Sequence, residues 1–360
     1  MLKKLLKFYK KNTLILFLIL LICVTIFLYK TVKEGFTDDT AYDIVIVAGQ
    51  SNAQGNGLDY FTPHYQGMSK TQIDEPLYND PYFQNDKSNN NPASPSDNIR
   101  NRIKMLKSNN TIVTAEDPLD HFSQTAIKTR QNPHGFGIPF ARQYVKEKDK
   151  SVLLVGCAMG STAFGYYGPA NGGSDDPSHQ FGWSEANDWP SSVTGTCNGT
   201  NCSLFRMSKA RIDAAKAQAP NSRVVAILWH QGENDADHNP SSYYASGVSR
   251  MLKDLRSYAI QQFPNSPSNF PILVGGLCTY YSDYSDKMNP ILRSMENSSD
   301  NIRFVPSDNS LGSSVSKFNH NLRPNGRSDF GGRVHFSRMA QIEFGYRYFY
   351  VFNNKSINFN

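Results

Sequence analysis

Five short, continuously apolar runs recur along this chain with helical patterns between them, and that alternation restricts the fold more than any other feature. Ile44–Ala48, Ser151–Val155, Val224–Trp229, Ile272–Val274 and Ile302–Val305 are apolar almost throughout rather than at every second residue. Strands covered on both faces read this way, and such strands belong to parallel sheets. Between them "IPFARQYVKEK", "LFRMSKARIDAAKAQ" and "YYASGVSRMLKDLRSYAIQQF" are helical in pattern, the last placing Tyr244, Val248, Met251, Leu252, Leu255 and Ala259 on one face. The late segment "SRMAQIEFGYRYFYVF" opens on Ser337 as a candidate N-cap and has enough aromatic residues to pack as a final helix. The expected architecture is a three-layer α/β/α sandwich around a central parallel sheet.

At 360 residues, 39% hydrophobic and 12% aromatic, the chain can build a sizeable core. Its net charge of +6 is unevenly placed: seven Lys and three acids fall within residues 1–40, leaving only about +2 for the rest. That balance argues against nucleic acid as a partner. The excess surrounds "LILFLILLICVTIFLY", Leu14 to Tyr29, which follows Lys3, Lys4, Lys7, Lys10 and Lys11. The run is short for a span of about 20 residues, but flanking Lys side chains reach the interface. Residues 1–40 therefore read as a cytosolic tail, a transmembrane signal anchor and a short linker, with 41–360 as the lumenal or extracellular domain. A cleaved signal peptide is the alternative, although no A-x-A-like site follows.

Export would suit five Asn-x-Ser/Thr sequons, at Asn109, Asn198, Asn201, Asn297 and Asn354, and a small disulfide loop between Cys197 and Cys202. Cys157 and Cys278 end apolar runs and read as buried thiols. No metal-ligand spacing such as C-x-x-C or H-E-x-x-H occurs; Asp235, Asp237 and His238 read as a solvated loop rather than a metal site. Two long loops interrupt the rhythm. Residues 59–133 have room for one short helix at "DNIRNRIKML", and 165–203 embed Trp183 and Trp189, either as sugar-stacking or as loop-anchoring side chains.

The polar residues at the strand ends carry the functional signal. Gly49-Gln50-Ser51-Asn52 follows the first run, Gly160-Ser161 the second, and His230, Gln231, Gly232 and Glu233 the third; Asp329 and His335 precede the last helix. Ser51 alone could be an ordinary turn serine. Together the loops supply what a serine hydrolase needs at one sheet edge: a nucleophile, a base, an acid to orient it and donors for an oxyanion. His230 beside Trp229 reads as structural.

"GQSN", "GST", "WHQGEND" and a late "VHF", in that order, together with "HGFGIPFARQYV", resemble the sialate O-acetylesterase and acetyl xylan esterase branch of the SGNH hydrolases. The resemblance spans about Asp43 to the C-terminus and implies a flavodoxin-like sandwich. It further implies Ser51 as nucleophile and His335 as general base. The oxyanion hole would be the N–H groups of Ser51 and Gly160 with the Gln231 side-chain amide, and Gln50, Asn52 and Glu233 would support the site. Ala53 stands where a G-x-S-x-G elbow needs its last Gly, which disfavours the α/β-hydrolase pattern.

Gly332 occupies the position at which the family has the orienting Asp. Asp329 can serve if "FGG" loops out; otherwise Glu233 or Asp308 stands in, or the pair works as a dyad. The expected activity is removal of O-acetyl groups from carbohydrate, with acetylated carbohydrate as partner and no metal or organic cofactor. Two alternatives stay open: a catalytically silent carbohydrate-binding surface protein of the same fold, and an esterase for non-sugar esters.

Overall fold

The computed structural model describes residues 41–57, 98–122, 134–164, 181–183, 202–237, 244–311, 318–319, 321–324 and 331–354. All of these belong to one compact unit, Ala41–Asn360. The anchor segment, Asn198, Asn201, Cys197, Trp189, His238 and Asp329 lie outside the described residues. Among the described residues no helix is long and apolar enough to cross a membrane.

A seven-stranded sheet forms the middle layer. Its strands are β1 (Asp43–Gly49), β2 (Ile103–Leu106), β3 (Ile112–Thr114), β4 (Val152–Ala158), β7 (Arg223–His230), β8 (Ile272–Gly275) and β9 (Ile302–Val305), in the spatial order β3-β2-β4-β1-β7-β8-β9. Only β3 runs antiparallel to its neighbour. Two residues each of β5 (Phe181–Gly182) and β6 (Cys202–Ser203) make a separate parallel pair.

Every strand read from sequence is present, and β1 shows why its run is continuously apolar. Ile44, Ile46 and Ala48 enter one core while Val45 and Val47 enter the other, since successive side chains point to opposite faces. On the first face lie α4 (Leu204–Gln218), α6 (Tyr244–Gln262) and α7 (Ser282–Ser294). On the second lie α3 (Gly137–Lys148) and α9 (Arg338–Phe352), whose Phe140, Phe344 and Phe349 are fully buried. Each such side chain removed from water contributes roughly 1.5–3 kcal/mol. Ser337 caps α9 as expected, accepting the Ala340 N–H at 3.1 Å.

Three features differ from expectation. The "DNIRNRIKML" helix stops after one turn, α2 (Asn98–Asn101), and Ile103–Leu106 becomes β2, because pairing with β4 offers that apolar run both a ladder and a core. Helix α7 was not legible: Pro290 lies inside it, and its buried Tyr284, Met288 and Leu292 are set among polar residues. Asp235 is not solvated but 1% exposed. Trp183 is buried edge-on against Trp229, ring centroids 4.8 Å apart, so it anchors its loop rather than facing a sugar. Cys157 and Cys278 are buried free thiols.

The chain leaves β1 toward β2 on one side and leaves β4 toward β7 on the other. Ligand crevices in open α/β sheets lie outside the carboxyl ends at such a reversal. The residues after β1, β4 and β7 therefore meet at one place.

Candidate active site

Gly49 sets the turn out of β1. Its φ is +131°, and a Cβ there would stand 1.9 Å from the His230 carbonyl oxygen, so no side chain fits. Gln50 N–H then bonds that carbonyl at 2.9 Å, and the chain enters the single turn α1 (Ser51–Gln54). Ser51 is thereby held at the first helical position, 6% exposed. From the far end of the sequence, the turn α8 (Gly331–Val334) leads directly into His335. His335 Nε2 lies 2.8 Å from Ser51 Oγ, so residues 284 positions apart meet at hydrogen-bond distance. With Nε2 acting as acceptor, the imidazole is placed to take the serine proton.

Asn52 joins the two segments. Its Nδ2 donates to Glu233 Oε1 at 2.8 Å and to the Val334 carbonyl at 3.1 Å. Its Oδ1 accepts the Phe336 N–H at 3.0 Å and Gln341 Nε2 at 3.1 Å. Both main-chain neighbours of His335 are thus tied to the residue following Ser51.

A second network fixes the loops after β4 and β7. Gln231 is fully buried; its Nε2 donates to Gln50 Oε1 (3.2 Å), the Thr162 carbonyl (3.1 Å) and the Asp235 carboxylate, and its Oε1 accepts Tyr244 OH (2.6 Å). Asp235, in the short helix α5 (Glu233–Asp237), also accepts the Phe164 N–H at 3.0 Å. Both hydrogens of the Gln231 amide are shared among three protein acceptors in this arrangement, so the amide braces the loops after β4 and β7. Gln50 likewise accepts from Gly232 N–H at 3.3 Å.

Gly160 does stand beside the serine: a Cβ on it would be 3.6 Å from Ser51 Cβ. Its N–H donates to Gln54 Oε1 at 2.9 Å. Sequence reasoning did not single out Gln54, although it lies three residues beyond Ser51 on the same helical turn and so on the same side.

Of the other acids considered as orienters, Glu233 faces Asn52 and His230, and Asp308 faces Ser310 N–H (2.9 Å) and Arg293 (3.6 Å). Burial pushes the Glu233 carboxyl up to about 7 and the His230 imidazole down to about 4. His230 is structural, its Nε2 held by the Gly276 carbonyl at 3.1 Å. Among the described residues no group of three or more His, Cys, Asp or Glu could hold a metal ion.

Farther back, His121 Nδ1 accepts the Ala158 N–H at 3.0 Å, and Arg211 bonds the carbonyls of Leu106, Asp120 and Gly156 at 2.6, 2.6 and 3.2 Å. This buried pair carries the loop before Phe122 onto the carboxyl end of β4. Burial, helped by the Arg211 charge, pushes His121 down to about 3.

A parallel α/β/α sandwich with a Ser–His pair at its carboxyl edge is the arrangement of a hydrolase. Residues 41–354 match the model of the family "carbohydrate esterase, sialic acid-specific acetylesterase", and the chain belongs to that family of hydrolases acting on carboxylic esters. A protein from Arabidopsis thaliana has a similar structure (TM-score 0.54, 19% identity, 87% of this chain and 98% of that one). NanS is similar as well (TM-score 0.53, 17% identity, 87% and 97%). At these identities the two structures bear on the fold alone. No curated protein sequence matches the chain.

Proposed function

We propose that this protein hydrolyses O-acetyl esters on carbohydrate with Ser51 as nucleophile and His335 as general base. The 2.8 Å contact between His335 Nε2 and Ser51 Oγ carries this reading; family membership supports the substrate class. Ser51 Oγ attacks the acetyl carbonyl carbon as His335 Nε2 takes its proton. The carbonyl oxygen becomes an oxyanion facing the N–H groups of Ser51 and Gly160, and Gln54 Oε1 gives up the latter as the charge develops. Collapse breaks the bond to the sugar oxygen, which takes the proton from His335. Water, deprotonated by the same imidazole, then clears the acetyl group from Ser51 as acetate. Asp329 is the proposed orienter of His335.

The Lys-flanked run Leu14–Tyr29 supports an anchored form with this domain on the lumenal or outer side. Resistance of the full chain to alkaline extraction from membranes tests that placement.

Acetate release from acetylated sugars by residues 41–360, compared with Ser51→Ala and His335→Ala, tests the chemistry. Each variant is expected to lose about 10³-fold or more in kcat. A folded domain with no turnover above these variants would favour a sugar-binding protein, for which Gly332 in the orienter's place already speaks.

A further inference from the structure

Beneath Ser51, the end of β7 and the start of α5 bring together two ionisable side chains that no step above uses. His230 is 0% and Glu233 4% exposed. His230 Nε2 lies 3.1 Å from the Gly276 carbonyl. A carbonyl oxygen only accepts, so Nε2 carries the hydrogen, and Nδ1 of the neutral ring is a bare lone pair. That lone pair faces Glu233 Oε1 at 3.6 Å. Neither His230 Nδ1 nor Glu233 Oε2 has a hydrogen-bond partner.

Of the four charge combinations open to this pair, a neutral carboxyl beside an imidazolium buries one uncompensated charge, which leaves three. A carboxylate beside a neutral imidazole sets two acceptors against each other with no hydrogen between them. A carboxylate beside an imidazolium buries two full charges, whose desolvation is large. A neutral carboxyl beside a neutral imidazole buries no charge and supplies the missing donor, and a small movement closes 3.6 Å to a hydrogen bond. Burial favours the third state and outweighs the two donors that favour a carboxylate, Glu233's own N–H and the Asn52 amide. The phenols of Tyr284 and Tyr348 and the Cys278 thiol are all kept neutral by burial, and among the described residues no cation acts on Glu233.

We propose that Glu233 works as a neutral carboxylic acid, a positioning residue that joins His230 to Asn52 and so holds the Val334–Phe336 segment with His335 against Ser51. The chain of contacts is continuous: Glu233 Oε1 to Asn52 Nδ2 at 2.8 Å, then Asn52 to the Val334 carbonyl and the Phe336 N–H. The shifts of Glu233 up to about 7 and His230 down to about 4 run toward the same neutral pair. Below about pH 7 Glu233 is therefore mainly a neutral acid, and it bonds Asn52 rather than orienting His335.

Glu233→Gln and Glu233→Met separate these roles. The Gln amide stays neutral at every pH and, with its oxygen in the Oε1 position, keeps the bond from Asn52 while giving up the donor to His230 Nδ1, whereas Met makes neither bond. The kinetic arm rests on the esterase reading. There Met is expected to lower kcat about 10²-fold with KM little changed, as misplacement of a catalytic group does, and Gln to recover at least tenfold of that loss.

The second arm needs no activity. A carboxyl raised to about 7 in the folded state from 4.5 keeps a proton that the unfolded chain has released, so its contribution to stability falls as pH rises through that window. Relative to wild type, Glu233→Gln should gain stability from pH 4.5 to 7. A Gln variant as inactive as Met, or one whose stability tracks wild type across that window, would overturn the proposal. An inactive wild type would count against the esterase reading and leave the stability arm to decide this one.

Discussion

Phe336 N–H donates to Asn52 Oδ1 at 3.0 Å, which ties the residue after His335 to the residue after Ser51. The same carboxamide donates to the carbonyl of Val334, so His335 is gripped from both sides. The grip, rather than any direct contact with substrate, is what the resemblance-derived supporting role of Asn52 amounts to in this structure. Asn52→Leu keeps the volume and removes every bond. It should lower kcat by about 10²-fold with KM within a few-fold, because the histidine loses its register on the serine. It should also destabilise the fold by roughly 1–3 kcal/mol for each buried group left unpaired. Steady-state kinetics and urea unfolding of the variant check both.

Gln54 Oε1 covers the Gly160 N–H in the resting site. If that N–H serves the oxyanion, Gln54→Met removes a competitor and leaves the donor waiting, so kcat should match or exceed wild type while stability falls by about 1–3 kcal/mol. A loss of 10²-fold or more in acetate release from a folded Gln54→Met variant would mean that the carboxamide itself is needed.

His121 is buried in its neutral form, pushed down from 6.5 to about 3. Between those values the unfolded chain binds a proton that the folded one refuses. Its contribution to stability is therefore complete above pH 6.5 and is lost as pH falls toward 3, at up to about 1.4 kcal/mol per pH unit. Thermal unfolding of His121→Asn, which retains an acceptor for the Ala158 N–H, should show a shallower loss between pH 6.5 and 4 than wild type. Equal slopes would remove His121 from the acid limb.

The parallel sheet was legible because its central strands are covered on both faces and so cannot alternate; Ile44 to Ala48 feed two cores in turn. The strand β2 was not, because four residues with Lys104 among them become a strand only by pairing with β4. At the site, that Ser51 and His335 would meet was legible through their order among the loops. What the neighbouring polar residues do was not. Gln231 and Asp235 look alike in sequence whether they face solvent or bond each other, and only their burial decides. Gln341 carried a weak signal: with Glu343 and Arg347 it is polar in a helix that, beyond Arg338, is otherwise built of apolar and aromatic residues. All three are buried and bonded, Gln341 to Asn52 and Arg347 to Glu343 at 2.6 Å. A polar side chain in such company has to find a partner.

The central claim is that Ser51 carries the acetyl group between attack and hydrolysis. Rapid acid quench of the domain during turnover of an activated acetyl ester, followed by mass spectrometry of the peptide containing Ser51, tests it most directly. The account predicts an acetyl group on Ser51 that appears on mixing, disappears once substrate is exhausted and is absent from Ser51→Ala. Acetate release at the wild-type rate by Ser51→Ala, or turnover with Ser51 never acetylated, would contradict it.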